Sequence, residues 1–295
     1  MVTVLDGGMG SELNRRGDSP GTELWSAQAL LDTPEAVSAV HDDFIEAGAE
    51  IIITNTYSTI PSYLGKSGLA ERYLELAGLA GKLARESADR AETPRRKIQV
   101  AGGLPPLDES YRADLVSEDD VARPIYRALA NTLAPFVDLF VCETMSCARE
   151  AVNAAEAAVA EGGGKPVWVS WTLDERPGHG LRSGESIFAA LAMLEHLPID
   201  AFLFNCTTPE TITQGLNELA MLTDKPRGAY PNRMYVPPGW TLDNDISVEV
   251  HTDLGVDEFV AFAQTWIADG ASIVGGCCGL GPEFIRALTA SLQTA

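Results

Sequence analysis

Two adjacent cysteines, Cys277 and Cys278, follow a short apolar run and a pair of glycines near the end of the sequence. Neighbouring cysteines do not readily form a disulfide with each other, because the bond is strained across a single peptide unit. Both side chains can turn toward one soft metal ion where flanking glycines let the backbone twist. A third cysteine, Cys206, ends another strand-like run. Three thiolates without a fourth protein ligand would form an open zinc site of the catalytic type.

The remaining cysteines and the histidines do not extend this cluster. Cys142 and Cys147 are five positions apart, and small buried side chains are a simpler interpretation than a second metal site. The 4 histidines show no metal-ligand spacing. For the cysteine triad itself, the alternative interpretation is a set of buried thiols or a structural metal site.

The composition limits the classes of partner. The 42 acidic residues outnumber the 21 basic ones and give a net charge of −21. Such a chain repels phosphate backbones and anionic lipids, so we expect no binding to nucleic acid or to a membrane. The 5 cysteines lack framework spacing, no basic and apolar leader is present, and no apolar run has the length of a membrane span. We therefore expect a cytoplasmic protein. We also expect it to act on small-molecule substrates as a monomer or small homo-oligomer, and the composition does not decide the oligomeric state.

Short apolar runs alternate with helical patterns along the chain. The predicted strands lie at residues 3–5, 51–53, 98–101, 138–142, 167–172, 201–205, 227–230 and 272–275. Connections of this length favour parallel strands joined by crossover helices. Eight such units in 295 residues predict an α/β protein of one domain, a (β/α)8 TIM barrel over residues 1–295. An open doubly wound sheet is the alternative, but the glycine fingerprint of dinucleotide-binding folds is absent.

Local residue choices predict where several helices begin and where the pattern breaks. Thr33 followed by a proline is typical of a helix start, with the threonine as the N-cap. Ser117 and Asp120 resemble a capping box, although Pro124 fits poorly inside the helix that would follow. Ser186 is predicted to cap another helix. Residues 233–254 are predicted to be an irregular, turn-rich insertion, and whether they form a lid is open.

The barrel geometry brings distant residues together. The C-terminal ends of all strands in such a barrel point to one face. Polar and thiol residues that end the predicted strands are Asp6, Asn55, Glu143, Asn205, Cys206, Cys277 and Cys278. We therefore expect the cysteines to form one site at that face.

Several motifs occur in order from one end of the chain to the other. They are LDGGMG at 5–10, LWS at 24–26, the block from His41 through AGA at 47–49 to TNTY at 54–57, CET at 142–144, SGE at 183–185, NC at 205–206, YPN at 230–232 and GGCCG at 275–279. The combination of Asn-Cys with Gly-Gly-Cys-Cys is the specific part of this pattern. In these motifs the chain resembles the homocysteine S-methyltransferase family.

This resemblance implies a (β/α)8 barrel in which Zn²⁺ is held by Cys206, Cys277 and Cys278. It also implies transfer of a methyl group to the sulfur of homocysteine, which makes methionine. Within the family, the chain is most similar to the stand-alone enzymes that use S-methylmethionine as the methyl donor. It departs from those enzymes at Gly279, where they often carry an arginine.

Further residues are candidates for binding the substrates. Asp6 and Glu143 could hold the ammonium group of homocysteine; the alternatives are a loop hydrogen bond for Asp6 and a rim ion pair for Glu143. The rings of Trp25 and Tyr57 could face a sulfonium donor, or they belong to the core. The other candidates lie at strand ends, where they would orient the amino acid or the loops: Asn55, Thr56, Asn205, Tyr230 and Asn232.

Two kinds of alternative function stay open at this point. The same barrel could use dimethylsulfoniopropionate, a betaine or a methylfolate as donor, or methylate another thiol or a selenol. From a different class, the chain could bind zinc or a thiol without turnover. Product formation separates these two classes, whereas metal binding alone does not.

Overall fold

The computed structural model describes residues 2–18, 24–94, 96–237, 239–241, 249–250 and 253–293. Its strands are β1 (Thr3–Val4), β2 (Ile51–Ile53), β3 (Gln99–Leu104), β4 (Leu139–Met145), β5 (Val167–Trp171), β6 (Ala201–Asn205), β7 (Arg227–Tyr230), β8 (Met234–Tyr235), β9 (Glu249–Val250) and β10 (Ile273–Val274). An 8-stranded sheet has the order β1-β10-β7-β6-β5-β4-β3-β2, and its neighbouring strands are parallel. A parallel bridge between Leu5 and Ile51 joins β1 to β2 and closes the barrel.

Helices follow the barrel strands. The described α-helices are α1 (Met9–Arg16), α2 (Ala27–Asp32), α3 (Pro34–Ala47), α4 (Pro61–Gly65), α5 (Tyr73–Ala91), α6 (Asp119–Leu133), α7 (Ala148–Glu161), α8 (Ile187–Leu194), α9 (Pro209–Leu222), α10 (Val256–Ala268) and α11 (Pro282–Gln293). The alternation confirms the predicted (β/α)8 barrel. It also places the C-terminal ends of the strands on one face, as the cysteine argument requires.

Two apolar layers stabilise the barrel, one inside it and one around it. An inner layer occupies its centre and includes Leu5, Ile51, Val141 and Leu203. A larger layer lies between the sheet and the surrounding helices. Because the interior below the site is close-packed, the strand ends are held in fixed positions.

Only part of the helix-capping prediction is confirmed. The Ser186 side chain accepts a hydrogen bond from the Ala189 amide (3.2 Å) and caps α8 as expected. α3 begins after Thr33, but the Thr33 hydroxyl makes no capping bond. The predicted capping box is wrong, because the N-cap of α6 is Glu118 and the Ser117 hydroxyl instead donates to Asp108.

Pro124 lies inside α6, in its second turn. A proline so close to the start of a helix removes only one early N–H bond, which explains why α6 continues through it. Three further short helices, α1, α2 and α4, have no counterpart in the sequence-based prediction. α1 matters most for the site, because it starts within the glycine-rich motif after β1.

The described part of the 233–254 insertion contains a short antiparallel ladder. β8 pairs with β9 through Met234 with Val250 and Tyr235 with Glu249. Residues 238, 242–248 and 251–252 of the predicted insertion lie outside the described residues. Among the helices that the structure describes, none is long and apolar enough to cross a membrane.

Candidate metal and substrate site

The three predicted cysteines meet at the C-terminal face of the barrel. Cys206 directly follows β6, and Cys277 and Cys278 follow β10. The Cys206 Sγ lies 3.0 Å from the Cys277 Sγ and 3.9 Å from the Cys278 Sγ. All three sulfur atoms lie within 4.8 Å of one another. Sulfurs bound to one tetrahedral zinc ion lie about 3.8 Å apart, so this cluster has the dimensions of a three-thiolate metal site.

The Tyr-Pro-Asn segment at the end of β7 stabilises the backbone at Cys206 and at Cys277. The Cys206 amide donates to the Tyr230 carbonyl (3.3 Å), and the Cys277 amide donates to the Pro231 carbonyl (2.8 Å). Asn232 is fully buried, and its amide donates to the Thr207 carbonyl (3.2 Å). These backbone bonds hold in one place two thiol groups that are 71 residues apart in the sequence.

The arrangement of the three thiol groups favours a bound cation. Hydrogen bonds from Cys277, Cys278 and Tyr111 hold the pKa of Cys206 well below its usual range. Contacts with Cys206 and Cys278 together with burial raise the pKa of Cys277, and contact with Cys206 and burial raise the pKa of Cys278. The protein alone therefore favours one thiolate, and three thiolates side by side require a positive ion. The donor set fits a soft metal such as zinc.

A single cavity opens above the cysteines. The predicted site residues that line it are Asp6, Trp25, Asn55, Tyr57, Glu143, Cys206, Tyr230, Cys277 and Cys278. Its described lining contains no Lys, Arg or His. The cavity therefore combines acids, thiols and aromatic rings, a chemistry that favours cationic ligands.

The two acids of the cavity are both buried. Asp6 and Glu143 are 2% and 7% exposed. Burial raises the pKa of Asp6 to about 8. Burial and the nearby Asp6 likewise raise the pKa of Glu143 to about 8. No ion pair of Glu143 occurs among the described residues, so the alternative of a rim ion pair has no support there.

Asp6 also has the local role that the sequence left open. Its Oδ2 accepts a hydrogen bond from the Ile53 amide (2.8 Å), where β1 meets β2. Asp6 therefore combines a loop hydrogen bond with a place in the cavity lining.

Glycines allow two close approaches at the site. A Cβ on Gly10 would lie 1.9 Å from the Trp25 Nε1, so the indole packs directly on the start of α1. A Cβ on Gly103 would lie 2.8 Å from the Glu143 Oε1, so the glycine leaves room for that carboxyl group. Gly279 has a φ of 80°, a left-handed conformation that favours glycine.

Four described residues other than glycine have positive φ, and they cluster here: Trp25 (47°), Tyr111 (67°), Thr144 (61°) and Cys206 (54°). This conformation costs an L-residue about 1–2 kcal/mol. For a β-branched residue such as Thr144 it is a true outlier. Strain of this kind persists where the surroundings over-determine the backbone, as they do at functional sites.

Three predicted residues, Thr56, Asn205 and Asn232, do not line the cavity, and Thr56 and Asn205 position other groups behind its wall. The Thr56 hydroxyl donates to the Gly103 carbonyl (2.7 Å). The Asn205 Oδ1 accepts from the Thr144 amide (2.9 Å), and its Nδ2 donates to the Thr144 hydroxyl (2.8 Å). Asn205 therefore holds the strained segment of β4 that follows Glu143.

Replacing Asn205 by alanine is expected to lower the free energy of unfolding by about 2–3 kcal/mol, because buried groups of Thr144 lose their partners. We also expect a rise in the KM for the amino-acid substrate that the sequence resemblance implies, since Glu143 loses its fixed place. Urea unfolding and steady-state kinetics measure the two effects. Adding Thr144→Gly should recover part of the lost stability by relieving the positive φ. Unchanged stability of Asn205→Ala would contradict this role.

The sequence analysis missed several residues of the cavity lining. Tyr111, in the long loop after β3, and Trp240, in the insertion, both line the cavity. Their rings meet edge-on, with centroids 5.9 Å apart. Neither residue belongs to a motif used above. The available signal was the position of their loops, because long loops after barrel strands build the active face.

A closed (β/α)8 barrel with a thiol cluster, buried acids and an aromatic-lined cavity at its C-terminal face defines a barrel enzyme with a thiolate metal site. The sequence model of the homocysteine S-methyltransferase family matches residues 3–292. The chain therefore belongs to the homocysteine S-methyltransferase family, and it is a methyltransferase.

Individual relatives agree with this assignment. The chain is 32% identical to the homocysteine S-methyltransferase YbgG of Bacillus subtilis, over 99% of this chain and 96% of that protein. It is also 32% identical to a selenocysteine methyltransferase of Astragalus bisulcatus, over 97% of this chain and 91% of that protein. The metallated form of the homocysteine methyltransferase MmuM from Escherichia coli superposes with a TM-score of 0.82, at 30% identity, over 98% of this chain and 96% of that chain.

Proposed function

We propose that this chain transfers a methyl group from S-methylmethionine to the sulfur of homocysteine, with zinc held by Cys206, Cys277 and Cys278. The observation that carries the proposal is the position of the cysteine cluster. It lies in the wall of a cavity that also contains two buried acids and no described basic residue. Homocysteine offers the matching groups, a thiol and an ammonium.

In this proposal Asp6 and Glu143 bind the ammonium group of homocysteine. An ammonium ion is a strong partner for a buried carboxylate, and it lowers the pKa of the acid that it contacts. Asn55 lines the cavity beside them, and its Nδ2 donates to the Ser26 carbonyl (3.1 Å). These contacts direct the thiol of the bound amino acid toward the cysteines.

Zinc bound to the cysteines supplies the positive charge that keeps the substrate thiol ionised at neutral pH. The homocysteine sulfur attacks the methyl carbon of the donor in line. The bond between that carbon and the donor sulfur breaks, and the donor leaves as a neutral thioether. The main task of the protein is therefore to align two substrates, which can supply a large share of the rate enhancement.

The aromatic lining favours a sulfonium donor. Trp25 and Tyr57 line the cavity, as do Tyr111 and Trp240. Aromatic faces attract cations, and S-methylmethionine carries its positive charge on the sulfur that bears the methyl group. A methylfolate has no permanent positive charge, so these rings would not attract it through a cation–π contact. Glycine betaine also carries a permanent positive charge, on its quaternary ammonium group, so the donor experiment includes it.

The proposed enzyme is a cytoplasmic protein of one domain over residues 1–295. All 5 cysteines are free thiols, which supports a reducing compartment. A selenol acceptor is the second candidate for the same site, because the Astragalus bisulcatus relative is named a selenocysteine methyltransferase.

The test is product formation by zinc-loaded protein. Homocysteine is offered with S-methylmethionine, S-adenosylmethionine, dimethylsulfoniopropionate, glycine betaine or a methylfolate, and methionine is measured by mass spectrometry. We expect methionine with S-methylmethionine at the highest kcat/KM. Selenocysteine replaces homocysteine in a parallel series. Bound zinc without product from any donor would contradict the proposal and favour a thiol-binding protein.

A further inference from the structure

Tyr111 makes a direct contact with the cysteine cluster. Its hydroxyl lies 3.0 Å from the Cys206 Sγ. Both residues have positive φ, 67° for Tyr111 and 54° for Cys206. Two strained backbone positions that meet in one side-chain contact indicate that the surroundings impose this contact.

The direction of this hydrogen bond follows from the chemistry of the cluster. A cysteine that binds a metal is a thiolate, which has no proton to donate. The phenol of Tyr111 must then be the donor and the Cys206 sulfur the acceptor. Among the described residues, the hydrogen bonds of the Cys277 and Cys278 sulfurs run only to cysteine sulfur. The hydroxyl therefore distinguishes Cys206 from the other two cysteines.

The Arg182 side chain packs against the Tyr111 ring. Its guanidinium carbon lies 5.1 Å from the ring centroid, within the range of a cation–π contact. Arg182 in turn forms an ion pair with Glu175 (2.7 Å), and the two side chains are only 10% and 9% exposed. Glu175 also accepts from the hydroxyl of Thr207, the residue after Cys206 (3.3 Å). One buried ion pair thus braces both ends of the Tyr111–Cys206 contact.

A hydrogen bond to a thiolate withdraws charge from the sulfur and makes it a weaker nucleophile. This matters here because Cys206 lines the cavity in which the proposed function places the substrate thiolate and the donor methyl group. Methylation of Cys206 would break the bond from the methyl carbon to the donor sulfur and form a bond to Sγ. The donor would leave as a thioether, and Cys206 would become a thioether that has lost its charge.

We propose that Tyr111 is a positioning residue that, held by Arg182, donates a hydrogen bond to Cys206 and so directs the methyl group to the substrate sulfur. The inference rests on the metal site and the methyl transfer proposed above. It assigns to Tyr111 the protection of the protein's own cysteine. It also gives the buried Arg182–Glu175 pair a role in the reaction.

The experiment compares wild type with Tyr111→Phe after loading with cobalt(II), whose thiolate charge-transfer bands report the charge on the sulfurs. Phenylalanine removes only the hydroxyl, so we expect these bands to move to longer wavelength. Tyr57→Phe is the matched control, because the hydroxyl that it removes contacts Ser110 (2.7 Å) in the same cavity. The charge-transfer bands of the cobalt-loaded Tyr57→Phe protein should stay in place. No donor or acceptor is present, so the readout is independent of turnover.

A second measurement follows the methyl group. Zinc-loaded proteins are incubated with S-methylmethionine without homocysteine, and the peptide that contains Cys206 is examined by mass spectrometry. We expect Cys206 to be methylated roughly tenfold faster in Tyr111→Phe than in wild type, the effect of one charge-assisted hydrogen bond. The double variant Arg182→Met with Glu175→Gln keeps the hydroxyl but loses its brace, and it should show a smaller effect of the same sign. If Tyr111→Phe does not fold, this double variant provides the test.

Unchanged cobalt bands in Tyr111→Phe would overturn the hydrogen bond, and shifted bands with unmodified Cys206 would overturn the protective role. Wild type that binds no cobalt through thiolates would instead refute the metal site, and this inference with it. Wild type that binds cobalt but forms no methionine from any donor would refute only the proposed transfer. The charge-transfer comparison would then still decide whether Tyr111 donates to Cys206.

Discussion

Replacing Cys277 by serine is expected to remove the proposed zinc ion and the methyltransferase activity together. Serine is a poor ligand for a soft metal, because its hydroxyl is not ionised at neutral pH. With only two thiolates left, we expect zinc affinity to fall by at least about 1,000-fold, a change of about 4 kcal/mol. Zinc content after gel filtration and methionine formation measure the two losses on the same sample.

Cys147→Ser is the matched control for this substitution. Cys147 caps α7 by accepting a hydrogen bond from the Glu150 amide (3.4 Å), and it lies outside the cluster. Serine is a good N-cap residue, so this variant should fold, keep its zinc and stay active. A metal-free but active Cys277→Ser protein would refute the proposed mechanism.

The strands and the cysteine site were predictable because both follow from repeating local chemistry. Apolar runs between helical patterns determined the eight barrel strands, and the barrel rule then brought Cys206 and Cys277 together. β4 shows where this reasoning stops. The prediction ended it at residue 142, whereas the strand continues to Met145 through an irregularity between Cys142 and Met145. A bulge of this kind depends on the neighbouring strand and leaves no periodic pattern in the sequence.

The sequence also did not show the strained backbone of the site, and the reason is physical. Tyr111 and Thr144 take left-handed backbone conformations that their side chains disfavour in isolation. Tertiary contacts impose these conformations, for example the amide of Asn205 on Thr144. The prediction of a cap at Ser117 is wrong for the same kind of reason, because the Ser117 hydroxyl donates to the nearby Asp108 instead. Local sequence patterns predict elements well, but they do not show which distant group will compete for a side chain.

Glu143→Gln is expected to bind homocysteine more weakly and yet to be more stable at high pH. Loss of a buried carboxylate that is proposed to pair with the substrate ammonium should raise the KM for homocysteine by roughly 100- to 1,000-fold. In wild type, the pKa of Glu143 is raised to about 8, so binding should strengthen as pH rises toward that value. The KM for homocysteine should therefore fall between pH 6 and 8 in wild type, and this dependence should be weaker in the variant.

The sign of the stability effect follows from the same raised pKa. Between the unfolded value of 4.5 and the folded value of about 8, the folded protein holds a proton that the unfolded chain has released. The free energy of unfolding therefore falls as pH rises through this window. One pKa unit corresponds to about 1.4 kcal/mol, so even a third of this shift makes Glu143→Gln more stable than wild type by about 1–2 kcal/mol at pH 9. Near pH 4 the two proteins should be equally stable.

Glu150→Gln separates the loss of a buried charge from the loss of a substrate contact. Glu150 is buried, and burial raises its pKa to about 7, but its carboxylate accepts hydrogen bonds from Ser146 (2.7 and 2.9 Å), away from the lining of the cavity. Its neutralisation should leave the KM for homocysteine within about twofold, since a change outside the site removes no substrate contact. If Glu143→Gln behaved like Glu150→Gln in KM, Glu143 would not bind the ammonium group. Destabilisation of Glu143→Gln at pH 9 would show that Glu143 is held as a carboxylate by a partner of its own.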